Sequence, residues 1–218
     1  MSAAATPAST TRRQVLTDLR RNEILAAAIK VFGKKGFAAT CVDDIAAAAD
    51  IAKGTLYLYF ESKQDMYATA VQRAFAQLQA LTEERMQSVI GVRDRLAVAI
   101  SVRLEFWQEQ RNLYRLLLTV GREPQHKGQT HDLLRLGQAH FLAILKEGRA
   151  AGEVPKLDAA GHKQDLDALA WAILDMVRGC SERRVEKQTE STPQEDAARI
   201  TAFALRQLGL IAAGFKDN

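Results

Sequence analysis

Ala52-Lys53-Gly54-Thr55-Leu56-Tyr57-Leu58-Tyr59-Phe60, followed by Ser62-Lys63, is the stretch whose reading decides the fold. Taken as a helix, each residue turns the chain by about 100°. Leu56 and Phe60 then share one apolar edge that can seat the helix on a core. Gly54 and Leu58 point the opposite way, flanked by Lys53 and Tyr57 on one side and by Thr55 and Tyr59 on the other. A cation, two phenols, a hydroxyl, a glycine and an aliphatic chain thus occupy an outer face where solvated charge is the norm. These are the groups that read a DNA groove, through hydrogen bonds to phosphates and base edges and apolar contact with thymine methyls. A solvated helix surface is the bland alternative for the same positions, and the flanking residues decide between the two.

Upstream, Ile24, Leu25, Ala28, Val31 and Phe32 recur at helical spacing, which predicts an amphipathic first helix. Gly33 and Gly36 punctuate its end, with Lys34 and Lys35 suited to the helix C-terminus. Thr40 is expected to cap a second helix whose first turn holds Asp43 and Asp44, as the macrodipole prefers. Val42, Ile45, Ala46 and Ala49 then face inward. Asp50 falls where the tight turn must come and tolerates left-handed backbone better than most residues. After the third helix, Ser62 is placed to cap a fourth beginning at Lys63. The pattern is a helix-turn-helix.

Residues 20–90 resemble the DNA-binding domain of the tetracycline-repressor (TetR) family of transcriptional regulators. The resemblance is carried by Ile24-Leu25, Ala27-Ala28, Phe32, Gly36-Phe37, Thr40, Ile45-Ala46, Gly54-Thr55-Leu56-Tyr57, Tyr59-Phe60 and Ser62-Lys63, in unbroken register. Asp50 departs from the turn glycine usual in the family, and Ala52 from a serine that caps the recognition helix in many members. The weaker cap costs about 1 kcal/mol. The resemblance implies that Lys53 and Tyr57 lie nearest base edges, that Thr40, Tyr59 and Lys63 grip phosphates, and that Gly54 lets the backbone come close. Thr55 and Leu58 complete the expected DNA-facing set.

Composition agrees and adds bounds. The chain has 218 residues, 47% of them apolar and 6% aromatic, as in an ordinary soluble protein. Its four prolines lie outside the long periodic segments, favouring an all-α chain. Of the net charge of +4, most sits at the amino-terminal end: residues 1–63 hold nine Lys/Arg against six Asp/Glu, the remainder 21 against 20. Cys41 and Cys180 form no metal-binding or redox spacing, which suits a reducing cytoplasm. Residues 1–16, rich in Ala, Ser and Thr, are expected to be a disordered arm rather than a signal or transit peptide. Arg12, Arg13, Arg20 and Arg21 could reach DNA from that end, although such charges are often only solvated. No run approaches the length of a membrane span.

Residues 17–62 are thus expected to form the DNA-binding domain, and residues 63–218 a second, helical domain for effector binding and dimerisation. About nine helices are expected in all. In the second domain they cover residues 63–90, 92–108, 112–120, 130–151, 163–186 and 193–213, with Pro193 opening the last. The final two are apolar on more than one face, and a helix apolar on two faces must bury both. The resemblance implies that they pair with their two-fold mates in a four-helix dimer interface, for which Leu169, Ile173, Val177, Ala198, Ala202 and Leu205 are the candidates. A larger core within one chain is the alternative.

On the fifth helix, Arg103 shares a stripe with Leu96, Ile100 and Trp107. A salt bridge or a snorkelling side chain would explain it. The sharper expectation is that Arg103 orients an anionic or polar small-molecule effector in an apolar cavity walled by Trp107, Phe141 and Trp171. His126, His131, His140 and His162 lack metal-ligand spacing. Gly33-Lys34-Lys35-Gly36 is not a phosphate-binding loop of the Walker type. No cofactor, metal or catalytic set is expected. The expected function is a dimeric, ligand-responsive regulator, most simply a repressor, on a near-palindromic duplex operator. An architectural protein that binds DNA without sequence preference or effector is the competing reading, and an enzyme with a DNA-binding head finds no catalytic constellation.

Overall fold

α1 (Arg12–Lys35), α2 (Val42–Ala48) and α3 (Lys53–Tyr57) lead into α4 (Lys63–Met86), followed by α5 (Val92–Glu109), α6 (Arg111–Val120), α7 (Lys127–Ala150), α8 (Leu166–Val185) and α9 (Pro193–Gln207). The structure, a computed structural model, describes residues 12–121, 123, 127–156 and 164–211, and among these all regular structure is helical. The chain divides into two units, Met1–Gln72 and Arg73–Asn218, and the boundary falls inside α4.

Of the two glycines expected to punctuate the end of α1, Gly33 lies inside the helix and Gly36 closes it. α1 ends where Gly36 takes φ +81°, its N–H donating to the Phe32 carbonyl at 2.8 Å. That is the left-handed geometry glycine adopts without penalty. Asp50 makes the turn between α2 and α3 with φ +54°. Ser62 accepts the Asp65 N–H at 3.1 Å and so caps α4. Ile24, Phe32, Ile45, Leu56, Phe60 and Met66 close the core. Phe37 stacks between Phe32 and Tyr67, at centroid distances of 5.0 and 5.8 Å.

Two expectations here are corrected. Residues 12–16, assigned to a disordered arm, are helical, because the segment Arg12–Leu19 holds neither glycine nor proline and continues the α1 register. Residues 1–11 lie outside the described ones. The N-cap of α2 is Cys41, not Thr40: the Asp44 carboxylate accepts from both the Cys41 N–H and its thiol at 3.1 Å. Lys35, bonded to Asp44, and then Cys41 hold that carboxyl well below its usual range, at about 2.

The second unit is built on α5, which packs against α6, α7, α8 and α9. Leu96, Ile100, Leu104, Phe141, Leu145, Ile173 and Ile200 are among its buried core. Gly148 is where α7 meets the start of α5: a Cβ there would lie 2.8 Å from Val92 Cβ. Asp165 caps α8 by accepting from the Asp167 and Ala168 N–H groups. Thr192 caps α9, with Pro193 in its first turn as predicted, and Glu195 completes the capping box. α9 ends at Gln207, short of the expected residue 213, where Gly209 takes φ +71°. Residues 212–218 are outside the described ones. Among the described residues no helix is long and apolar enough to cross a membrane.

Candidate nucleic-acid interface and effector site

α3 presents the expected face. Leu56 and Phe60 are buried, while Tyr57 is 49% and Leu58 82% exposed. Lys53 and Gly54 are also exposed, and a Cβ on Gly54 would meet nothing within 4 Å. Thr55 and Tyr59 are half-buried on its flanks. Lys53 is held by Asp43 of α2 at 2.9 Å, both side chains being open to solvent. Ala52, the N-cap of α3, makes no side-chain capping bond. The exposed leucine at the C-cap, beside a phenol and a cation, makes a surface that apolar burial within the chain does not explain.

Thr40 and Lys63 are not part of that surface. Thr40 is 2% exposed, and its hydroxyl donates back to the Gly36 carbonyl at 2.7 Å. Lys63 spends its ammonium on three backbone carbonyls, those of Phe37 at 2.9 Å, Thr40 at 3.1 Å and Ala38 at 3.2 Å. It also sits 4.9 Å from the Phe37 ring centroid. An ammonium has three N–H donors, so none is left over for a phosphate. Instead Lys63 ties the first turn of α4 to the segment that ends α1 and starts α2. The three Lys63 bonds have no sequence signature, because their partners are backbone atoms more than twenty positions away. Of the four arginines considered for the arm, Arg20 pairs with Glu23 at 2.8 Å and Arg21 stacks 4.6 Å above Phe60, both within the first unit. Arg12 is exposed on α1.

In the second unit Arg103 meets Phe141, its guanidinium carbon 4.7 Å from the ring centroid. Arg103 is 8% exposed, so it does not snorkel to water. Among the described residues its one hydrogen bond runs from Nη1 to the Ala99 carbonyl at 3.3 Å, and no described carboxylate pairs with it. Burial pulls its pKa down to about 10. His140 precedes Phe141; its Nε2 is buried without a partner. Burial first, then the charges of Arg103 and Arg95, push its pKa down to about 4. Trp107 belongs to a separate aromatic cluster, 5.1 Å from Phe106 and Tyr114 and 5.4 Å from Phe75. Trp171 is half-buried against the shared core. A crevice of about 270 Å³ lies elsewhere, lined by residues including Arg111, Ser181, Arg184 and Ser191, and by none of the four predicted effector residues.

The dimer candidates divide. Ile173, Val177 and Leu205 are buried inside their own unit and have no area left for a partner. The core they fill, between α5, α8 and α9, is the one-chain alternative that periodicity could not distinguish. Leu169 and Ala202 are half-buried and Ala198 is exposed. Ala172, Met176 and Gly179, also incompletely buried, continue the Leu169 stripe along α8.

The first unit is a helix-turn-helix in which α2 and α3 follow the long α1. Residues 24–70 match the family model of bacterial regulatory proteins, tetR family. That match covers the helix-turn-helix segment of the chain. The chain is 32% identical over 113 residues to the HTH-type transcriptional activator FasR of Mycolicibacterium smegmatis, a match that covers 51% of this chain and 52% of that one. The chain thus spans about half the length of that curated relative. A tetR-family regulatory protein from Rhodococcus RHA1 superposes with a TM-score of 0.70 at 25% identity, over 87% of this chain and 96% of the other. The transcriptional regulator FadR of Bacillus subtilis, solved in complex with stearoyl-CoA, shares the fold with a TM-score of 0.73 at 20% identity, over 87% and 98% of the two chains. Among the described residues no group of three or more His, Cys, Asp or Glu is placed to hold a metal ion.

Proposed function

We propose that this protein is a ligand-responsive transcriptional regulator that binds duplex DNA as a homodimer and represses from a near-palindromic operator. The observation that carries this reading is the face of α3, where Lys53, Gly54, Tyr57 and Leu58 stand clear of the core. Two such helices, one from each protomer, would enter successive major-groove half-sites about one helical turn apart. Lys53 and Tyr57 would reach base edges, Leu58 a thymine methyl, and Thr55 and Tyr59 the flanking backbone. In the dimer the half-buried stripe of Leu169, Ala172 and Met176 on α8 would pack with Ala198 and Ala202 of α9 against its two-fold mate.

The effector would enter the second unit at Arg103 and Phe141. The related fold that binds stearoyl-CoA supports an effector with an acyl chain. α4 is the element through which the signal passes, because one uninterrupted helix begins in the first unit and ends in the second. Effector and operator would then favour different states, and by linkage each weakens the other's affinity by the same factor.

The test is binding of the purified protein to DNA from its own upstream region, against random duplex, across a salt series. A sequence-preferring complex with two protomers per site, lost in Tyr57→Ala, is expected. Affinity that follows salt but ignores sequence would instead support the architectural reading.

A further inference from the structure

Arg103 carries its charge into an apolar interior and meets no counter-charge there among the described residues. An isolated buried cation is costly, and proteins ordinarily pair it or hydrogen-bond it fully. A guanidinium has five N–H donors arranged in its own plane. Here one of them has an acceptor, the Ala99 carbonyl. Phe141 covers a face of the group. Stacking of that kind leaves the edges, where the donors lie, free for an acceptor. The neighbouring His140 adds a second unsatisfied polar atom, its buried Nε2. Its environment favours the neutral imidazole, which can present an N–H at Nε2 when Nδ1 is unprotonated. Phe141 belongs to a buried core that includes the aliphatic side chains of Leu96, Ile100, Leu104 and Leu145.

We propose that Arg103 and His140 together receive the carboxylate of a free acid with an apolar body, and that this acid, not its thioester, is the effector. The inference rests on the effector reading above and sharpens it. A carboxylate brings one negative charge to one uncompensated guanidinium and accepts a two-pronged pair of hydrogen bonds in its plane, with room for a third from His140. A thioester carbonyl is neutral and leaves the cation unpaired. The several charges of a coenzyme A phosphate group exceed what one buried arginine and a neutral histidine can balance. The apolar body would lie against the core to which Phe141 belongs.

The experiment uses the full chain, calorimetry, and four probes: octanoate, dodecanoate, methyl dodecanoate and dodecanoyl-CoA. One of the two acids should bind. Dodecanoate should exceed its methyl ester by roughly tenfold or more in affinity, the weight of a charged hydrogen-bonded pair. Arg103→Gln should abolish that preference. His140→Phe should weaken the acid by a few-fold, about one neutral hydrogen bond. Far-ultraviolet circular dichroism establishes that each variant is folded; the two substitutions provide independent tests should one fail to fold. Equal binding of acid and ester by the wild type, retention of the preference in Arg103→Gln, stronger binding of the thioester, or no binding of either acid would each overturn the proposal. Acid binding through Arg103 that leaves the DNA affinity unchanged would uphold the site and sink the effector reading of the regulator.

Discussion

Replacing Lys63 with methionine distinguishes a phosphate contact from a structural tie. Methionine keeps the apolar stem against Phe37 and removes the ammonium that now bonds three carbonyls at 2.9–3.2 Å. A hydrogen bond from a charged donor contributes about 1.5–3 kcal/mol. The Ala38 contact is exposed and the other two part-buried, so water would replace much of what is lost. The total cost is therefore about 1.5–3 kcal/mol rather than three times that. Urea denaturation should show this loss. Amide hydrogen exchange should show it locally, as faster exchange at the start of α2, since the freed carbonyls belong to the segment leading into that helix.

The DNA side of the same variant supplies the refutation. Each phosphate contact steepens the dependence of log affinity on log salt by about 0.9 on duplex DNA. A Lys63 already committed to carbonyls contributes nothing to that slope, so Lys63→Met should weaken binding while leaving the slope as it was. Unchanged stability, within about 0.5 kcal/mol, together with a slope flattened by about 0.9 per protomer, would show that the lysine leaves its carbonyls for the phosphate backbone.

Three further outcomes are expected. Tyr57→Ala should leave unfolding within about 0.5 kcal/mol of wild type, because the ring is 49% exposed; titration of operator against random duplex should show discrimination falling by about 1–3 kcal/mol. Gly148→Ala should destabilise the chain by about 1–3 kcal/mol in urea, since the added methyl would lie 2.8 Å from Val92 Cβ; a neutral result would mean that α5 and α7 separate freely. The folded-state pKa of His140, near 4, lies below its ordinary 6.5. Between those values the unfolded chain binds more protons, so this group's contribution is present above pH 6.5 and lost as pH falls through that window. The loss should be about 1–3 kcal/mol after allowing for partial exposure, read as the difference in acid unfolding between wild type and His140→Gln, and identical acid profiles would refute it.

The parts of the fold legible in the sequence were those written in local chemistry. The apolar stripe from Ile24 to Phe32, the glycine at 36, the aspartate at 50 and the proline that opens α9 each act on their own backbone, and each occupies the conformation expected of it. The helix-turn-helix followed from several such signals in one register. What could not be read was which backbone atom a polar side chain would bond. Lys63 looked like a phosphate ligand because periodicity places it on an outer surface but is silent about three carbonyls at its tip. Thr40 looked like a cap because its hydroxyl suits one, yet it turns back to Gly36. Ile173, Val177 and Leu205 looked like interface residues because α8 and α9 are apolar on two sides; spacing does not say which side meets the chain's own α5.

Those failures share a cause that separates them from Arg103. Lys63 and Thr40 are polar groups whose bonds are made inside the chain, so the structure accounts for them without a ligand. Arg103 was set apart in the sequence for the same reason, a polar group amid apolar ones, but the structure supplies it one carbonyl and an aromatic face. A folded chain ordinarily satisfies what it buries. Local rules are broken most where function requires it, and a charge buried beside an unsatisfied imidazole nitrogen is such a place. Its cost falls on the free protein and is relieved when an anion arrives. A ligand that relieves it in only one conformation of α4 would shift the balance between conformations by that difference and no more. The exposed face of α3 and the buried cation of α5 are thus two places where the described residues leave chemistry unfinished, and the proposed regulator would use both.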